Sequence, residues 1–505
     1  MKQKLFNLSF IRYIFGILLF MESIFMMAAT GVSAYYCHTA GDSDFWALLF
    51  PTLLTMCVGT GLWYSGRKHN ESITLREGFL IVALAWVFFS IFGMLPYLLY
   101  GTTDNLTDAF FETISGFSTT GATILENIDS QPHGILFWRS LTQWIGGLGI
   151  VVFTLALLPI IGNGGTQMFN AEVTGLGVDK LRPKIQSTSR HLWSIYLGLT
   201  IICGVLYFLG DMSSFDAVCH ALSTMATGGF STHQASIGYF QSSYIEYVCI
   251  AFMFISSLNY SLFYTLGIGR WKRFWRNEEF RWFVVIVLGF TLLFMFLQWV
   301  TRISSHTTHE TLASLPVGFE ATLRTCLFHT VAIISSSGFQ ATHFDYSLWG
   351  AIFWMPTLVL MVVGGCAGST AGGLKVIRFV ILLKNTINEF VRQIHPRMVT
   401  TVRFGGHAVA SEIVQKVLAF IFIFMMLIVF GCFFMQCLGL SFETALGSTV
   451  SALGNTGPAL GATGPAFTWA SIPDAGKWFA AFLMLVGRLE IFTVILLFTS
   501  MFWRK

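Results

Sequence analysis

Ten apolar stretches, each long enough to cross a bilayer, run through this chain at roughly 10–37, 46–65, 77–101, 135–162, 191–210, 243–269, 281–300, 347–383, 412–437 and 475–503. Hydrocarbon offers no hydrogen-bonding partner, so backbone at that depth must satisfy itself, and stretches of this length do so as helices. Composition agrees: 54% of the 505 residues are hydrophobic and 11% charged, with a mean hydropathy of +0.69, outside the range of ordinary soluble domains. The expected class is an all-α polytopic membrane protein. Its 51 Phe and 15 Trp suit interfaces and helix packing. The nine Cys show no CxxC pairing and mostly lie in apolar runs. They read as small buried hydrophobes, not as a zinc site or a disulfide framework. The first run, "FIRYIFGILLFMESIFMMAATGVSAYY", follows Lys2 and Lys4 as a signal peptide would. It exceeds a signal core and a second span follows it, so a retained hairpin is expected.

An even number of spans puts both termini on one side. All but five of the 29 Lys and Arg lie in or beside the termini and the loops after even-numbered spans. The exceptions are Arg139, Arg302, Arg324 and Lys477 in the opposite loops and Arg488 inside the last span. Basic residues are retained inside, so both termini are expected in the cytoplasm. About 15 of the 25 acids fall on the outer side, among them Asp104, Asp108, Asp216, Glu246 and Asp345. They would concentrate cations at an entrance. Acids also cross a membrane more readily than bases, which explains the same excess without a function.

The outer loops after spans three, five, seven and nine are too long for turns, and each holds a half-length apolar stretch ending in glycine. Those glycines, Gly121, Gly229, Gly338 and Gly457, are separated by 108, 109 and 119 residues. The segments "TDAFFETISGFSTTGA", "FDAVCHALSTMATGGF", "RTCLFHTVAIISSSGF" and "ETALGSTVSALGNTGP" align without gaps. Asp108, Asp216, Thr325 and Thr444 stand thirteen residues before the glycine, and Ser115, Ser223, Ala332 and Ser451 stand six before it. The chain therefore holds four copies of one unit. A two-helix hairpin at 1–70 is expected to precede units at 71–165, 166–270, 271–395 and 396–505.

Each unit reads as helix, short descending helix, small-residue loop, helix. Bare backbone inside a membrane must border protein or water, and four such loops round one axis make a pore. A dehydrated alkali cation needs several oxygens without strong fixed charge, which backbone carbonyls supply. The candidates are Thr119 and Thr120, Thr227 and Gly228, Ser336 and Ser337, and Asn455 and Thr456. The glycine after each pair admits a positive φ, so that carbonyls can turn to the axis. Each short helix aims its partly negative C-terminal end at the ion. One copy alone would equally be a helix contact or a turn; four in register point to a pore.

Two irregularities lie below these loops. The eighth span contains "VVGGCAGSTAGGLKVIRF", in which Gly364, Gly365, Gly368, Gly372 and Gly373 crowd together. Each weakens a helix by about 1 kcal/mol relative to alanine. A loop formed there, with Ser369, Thr370 and Lys375, would gate the pore; close packing through small residues is the other reading. The tenth span contains "LMLVGRLEIFTV", which sets Arg488 in the middle of an apolar helix. Such an arginine faces a cavity or a partner. There it would oppose cation passage or anchor the glycine loop, with an ion pair to another helix as the alternative. Glu490, two residues on, lies on another face. His220 and His329 occupy equivalent places in two short helices and read as packing residues, while Asn259 and Tyr260 interrupt the sixth span. No HExxH, GxSxG, Walker or GxGxxG motif occurs, so neither an enzyme nor a cofactor site is expected.

The four units with one glycine each, together with "GGCAGSTAGGLK" and "GRLEIFT", resemble the TrkH/KtrB family of bacterial potassium uptake proteins over roughly residues 77–503. The added hairpin and the length are similar to the TrkH branch. The resemblance implies potassium as the transported ion, held by the loop carbonyls at and just before Gly121, Gly229, Gly338 and Gly457. It implies residues 364–375 as a gating loop with Arg488 against it. It further implies a homodimer with one pore per subunit in the bacterial inner membrane, a cytoplasmic nucleotide-binding regulator of the TrkA kind on the basic inner face, and no nucleic acid. The inner loops at 163–190 and 394–411 are docking sites or connectors. Competing readings are a subunit of an ATP-driven potassium pump, which needs a separate ATPase, and a symporter coupled to a proton or sodium ion. A voltage sensor would need an arginine-repeat helix, which no span has, and a metabolite symporter two inverted halves.

Overall fold

The computed structural model describes residues 6–67, 74–161, 185–303, 316–341 and 351–504. Asp345 and most of the inner loop at 163–190 lie outside the described residues. Leu8–Thr39 and Phe45–Gly66 form the N-terminal hairpin. They meet backbone to backbone: a Cβ at Gly16, Gly59 or Gly66 would run into the main chain at Trp63, Phe20 or Tyr13. In lipid, apolar burial gives helices no reason to associate, and such close approach supplies one. The hairpin is fastened at its turn, where Asp42 accepts from His133 N at 2.9 Å and buried Asp44 from Ile135 N at 3.1 Å.

Four short helices follow at Leu106–Phe117, Ser214–Ala226, Phe319–Ile334 and Phe442–Gly454, of 12, 13, 16 and 13 residues. At about 1.5 Å per residue such helices reach roughly halfway through a bilayer. Asn105 accepts from Asp108 N at 2.8 Å, Ser213 from Asp216 N at 3.0 Å and Ser441 from Thr444 N at 3.4 Å. The position thirteen before the glycine is thus the third residue of its helix, whose N–H the cap satisfies. The third short helix departs from this register. It begins a turn earlier, behind Gly318, with no side-chain cap.

Among the described residues, six unbroken helices are long and apolar enough to cross a membrane. Three of the ten expected spans are broken instead. The sixth bends by 95° between Ser243–Ser256 and Tyr260–Gly267, and the tenth by 120° between Asp474–Arg488 and Ile491–Phe498. The eighth stops at Val363 and resumes at Val376. Arg488 is therefore not in the middle of a helix; it is the last residue of one, and Glu490 beyond it takes φ +65°. The fourth span, His133–Ile161, stays helical for 29 residues.

The bases expected in outer loops lie inside helices: Arg139 in His133–Ile161, Arg302 in Glu278–Ile303, Arg324 in Phe319–Ile334 and Lys477 in Asp474–Arg488. Arg139 pairs with Glu112 at 2.8 Å, Arg324 with Glu246 at 2.8 Å and Lys477 with Asp108 at 2.6 Å. Two acids of the expected entrance are thereby neutralised, which corrects the picture of a free negative rim. Asp104 is exposed. On the other side, the 394–411 loop carries a two-residue ladder pairing Arg403–Phe404 with His407–Ala408.

Candidate functional site

The four short helices end alike. Thr119, Thr227, Ser336 and Asn455 take φ of +55°, +55°, +54° and +53°, and the glycines two residues on take +79°, +79°, +66° and +93°. Thr120, Gly228, Ser337 and Thr456 between them do not. A uniform strand sends successive carbonyls to opposite sides, whereas alternating hands of φ turn them the same way. The sequence reading assigned positive φ to the glycines and missed Thr119, Thr227 and Ser336. Only Asn455 is a residue type that signals it.

The loops close on one another in chain order. A Cβ on Gly121 would strike the carbonyl of Gly228, on Gly229 that of Ser337, on Gly338 that of Thr456, and on Gly457 that of Thr120. Each glycine thus abuts the residue before the next glycine, and the fourth loop returns to the first. Thr120, Ser337 and Thr456 are wholly buried, and among the described residues no donor is bonded to their carbonyls. The Gly228 carbonyl differs: it accepts from Gln143 Nε2 at 2.7 Å.

Side chains behind the ring hold it in shape. Gln143 Oε1 accepts from Ser223 Oγ at 2.6 Å and Phe230 N at 3.1 Å. Asn455 Nδ2 donates to Thr120 Oγ1 at 3.0 Å and to the Met484 carbonyl at 2.9 Å, joining the fourth loop to the first and to the tenth span. The Gly457 carbonyl accepts from Ser451 Oγ at 2.9 Å and Trp469 Nε1 at 3.2 Å. The pair of Glu112 and Arg139 is almost fully buried, at 0% and 1% side-chain exposure, so neither charge is left to water. Arg139 also donates to the Ser231 carbonyl at 3.0 Å and Thr123 Oγ1 at 3.2 Å, and lies 4.0 Å over the Phe230 ring. Glu112 accepts from Ile124 N at 2.9 Å. The pair therefore ties together the segments that leave the first and second loops. Neither Gln143 nor this pair was singled out; the available signal was a polar residue inside an apolar helix.

The glycine segment of the eighth span lies against this ring. Gly364, Gly368, Gly373 and Lys375 are at positive φ, so the chain is a loop. Thr370 Oγ1 bonds Thr227 Oγ1 at 3.2 Å, and Gly372 N donates to Ser336 Oγ at 2.6 Å. A Cβ on Gly372 would meet the Gly454 carbonyl. Arg488 donates to the carbonyls of Thr370 and Gly146, each at 2.6 Å. It thereby fastens the glycine loop to the tenth and fourth spans. Within the loop, Ser369 Oγ donates to the Cys366 carbonyl at 2.6 Å and Lys375 Nζ to that of Ala371. The break in the sixth span fits the same loop: Tyr260 N donates to the Gly368 carbonyl at 3.2 Å, Cys366 N to the Ser257 carbonyl at 3.0 Å. Asn259 caps the helix that follows, accepting from Ser261 N at 2.9 Å. Glu490 pairs with Arg378, not with Arg488.

His220 bonds the Asp216 carbonyl at 2.8 Å and Ser231 Oγ at 2.9 Å, and His329 bonds Thr357 Oγ1 at 3.0 Å. Among the described residues no group of three or more His, Cys, Asp or Glu is placed to hold a metal ion. Outside the membrane, His233 lies 2.7 Å from Asp129 and 3.5 Å from Asp216. Burial alone would lower its basicity, but the bonds to Asp216 and Asp129 outweigh burial and hold the imidazole above its ordinary value.

Fold and site together define a class, an all-α membrane protein in which four loops of bare backbone meet inside the protein. The chain matches the TrkH family, described as a cation transport protein, over residues 49–505, and belongs to that family. It is 38% identical to the Trk system potassium uptake protein TrkH of Vibrio parahaemolyticus over 504 residues, 97% of this chain and 98% of that one. It is 34% identical to the Trk system potassium uptake protein TrkG of Escherichia coli over 494 residues, 97% of each. The crystal structure of the potassium transporter TrkH from Vibrio parahaemolyticus superimposes with a TM-score of 0.85 at 34% identity, covering 98% of this chain and 99% of the other.

Proposed function

We propose that this protein takes up potassium through the ring formed by its four loops. The observation that carries the reading is closure: each loop glycine abuts the carbonyl before the next, and the last returns to the first. The names of its relatives supply the ion. Carbonyls of residues 119–120, 227–228, 336–337 and 455–456 replace the ion's water, with Gly228 held by Gln143 while it does so. The hairpin and the four units around the pore are the chain's domains. Residues 364–375 are the gate, and Arg488 keeps it shut by bonding Thr370. The protein sits in the bacterial inner membrane with both termini inside, following the distribution of its bases. It works as a homodimer with a nucleotide-binding regulator of the TrkA kind on its inner face.

Purified protein in liposomes under an inward-negative potential tests this. Tracer potassium and rubidium are expected to enter ahead of sodium, driven by the voltage and needing no pH gradient. Uptake that needs a proton or sodium gradient would make the protein a symporter, and equal entry of sodium would remove the filter.

A further inference from the structure

The first helix of the hairpin carries an acid that no contact accounts for. Glu22 is 3% exposed, and among the described residues neither carboxyl oxygen has a hydrogen-bonding partner. The carboxyl lines a cavity with about 20 Å³ open to the centre of a water molecule, room for roughly one water. Trp86 lines the same cavity, and its indole N–H is likewise buried with no acceptor among the described residues. Leu18 and Phe25 of the same helix, Phe89, Phe117 and Ile145 make the wall apolar, and no lining residue besides Glu22 is charged or titratable. A bare carboxylate is not stable in such surroundings, and the group takes up a proton instead. A neutral carboxyl and an indole N–H facing one water-sized space can both be satisfied by a single water.

We propose that Glu22 is a proton-binding site, a neutral carboxylic acid beside one water molecule, and that release of its proton loosens the glycine loop. The route is short. Gly146 lines the cavity, and its carbonyl accepts from one arm of Arg488, whose other arm holds the Thr370 carbonyl. A carboxylate formed at Glu22 is an uncompensated charge that apolar walls screen poorly. It draws the guanidinium toward the cavity and away from Thr370. The proton passes to the cavity water and on to solvent, and returns the same way. The site stands on its own geometry; its link to flux rests on the reading of residues 364–375 as a gate.

Infrared difference spectra of the full-length protein in liposomes, recorded across pH, test the site. The C=O stretch of a protonated carboxyl is expected in the wild type at neutral pH and is lost in Glu22→Gln. A wild-type spectrum whose protonated-carboxyl band is unchanged by that substitution overturns the site, whatever the protein transports. Rubidium flux against pH tests the link. Wild-type flux is expected to rise at least about fivefold as Glu22 ionises, the lower end of ordinary coupling between sites. Glu22→Gln, which imitates the neutral acid, keeps wild-type flux at neutral pH and gives a flat profile. Glu22→Leu, which cannot bind a proton, gives the same flat profile if the glutamine variant does not fold. A variant profile that still follows pH as the wild type does overturns the link. The infrared arm needs no flux, so failure of the uptake reading and failure of the site give different results.

Discussion

A methyl group at Gly229 has nowhere to go, since its φ is +79° and the Ser337 carbonyl occupies the place of a Cβ. The backbone conformation alone costs an ordinary residue about 1–3 kcal/mol, and the collision pushes the neighbouring loop. Gly229→Ala is therefore expected to lower discrimination of potassium over sodium in tracer uptake. Gly198→Ala, where nothing lies within 4 Å of the new atom, is the matched control and should behave as wild type. Arg488→Ala removes the bonds to Thr370 and Gly146 together. Cation flux should rise, and unchanged flux in correctly inserted protein would show that the guanidinium does not restrain the loop. At this scale legibility follows residue type. Arg488 stood out because a charge in hydrocarbon needs a reason. Thr119 and Ser336 stood out as loop residues, but their left-handed backbone did not, because it does not follow from their own preference.

Elements were legible where one local property decides them and hidden where a distant partner does. The short helices themselves were legible from their repeat; their caps, Asn105, Ser213 and Ser441, emerge from the structure, although each is a residue type that favours that place. The bends in the sixth and tenth spans are marked in the sequence by polar residues, Asn259 in one and Arg488 with Glu490 in the other, but their angles are not, since the freed N–H of Tyr260 is taken up by Gly368 of another span. The Glu112 and Arg139 pair shows the same dependence, joining one unit's short helix to the helix after it. Arg139→Met leaves a buried carboxylate without its partner, a loss of about 3–5 kcal/mol. The double substitution Glu112→Gln with Arg139→Met should lose clearly less, because no charge is stranded. Thermal unfolding of the four proteins of this cycle in detergent measures the difference. Equal losses in the single and double variants would mean that the pair only fills space.

Across the whole molecule, the first two units are tied by His233, which bridges Asp129 beyond the first loop and Asp216 at the start of the second short helix. Its basicity is raised in the fold. The stabilisation is therefore complete below the unfolded value of about 6.5 and is lost as pH rises through the folded value. Wild-type thermal stability should fall from mild acid to mild alkali, and His233→Gln should flatten that slope; parallel slopes would remove the tie. The sequence by itself determined that this chain is helical and bilayer-embedded, because hydrocarbon leaves backbone no other way to satisfy itself. It also determined that one glycine-ended unit recurs, because the repeat is written in residue order. Only the tertiary structure decided how sharply the spans bend, which carbonyls meet which glycines and what Arg488 holds. Those outcomes depend on groups brought together from distant parts of the chain, and no local pattern of hydropathy or turn residues encodes them.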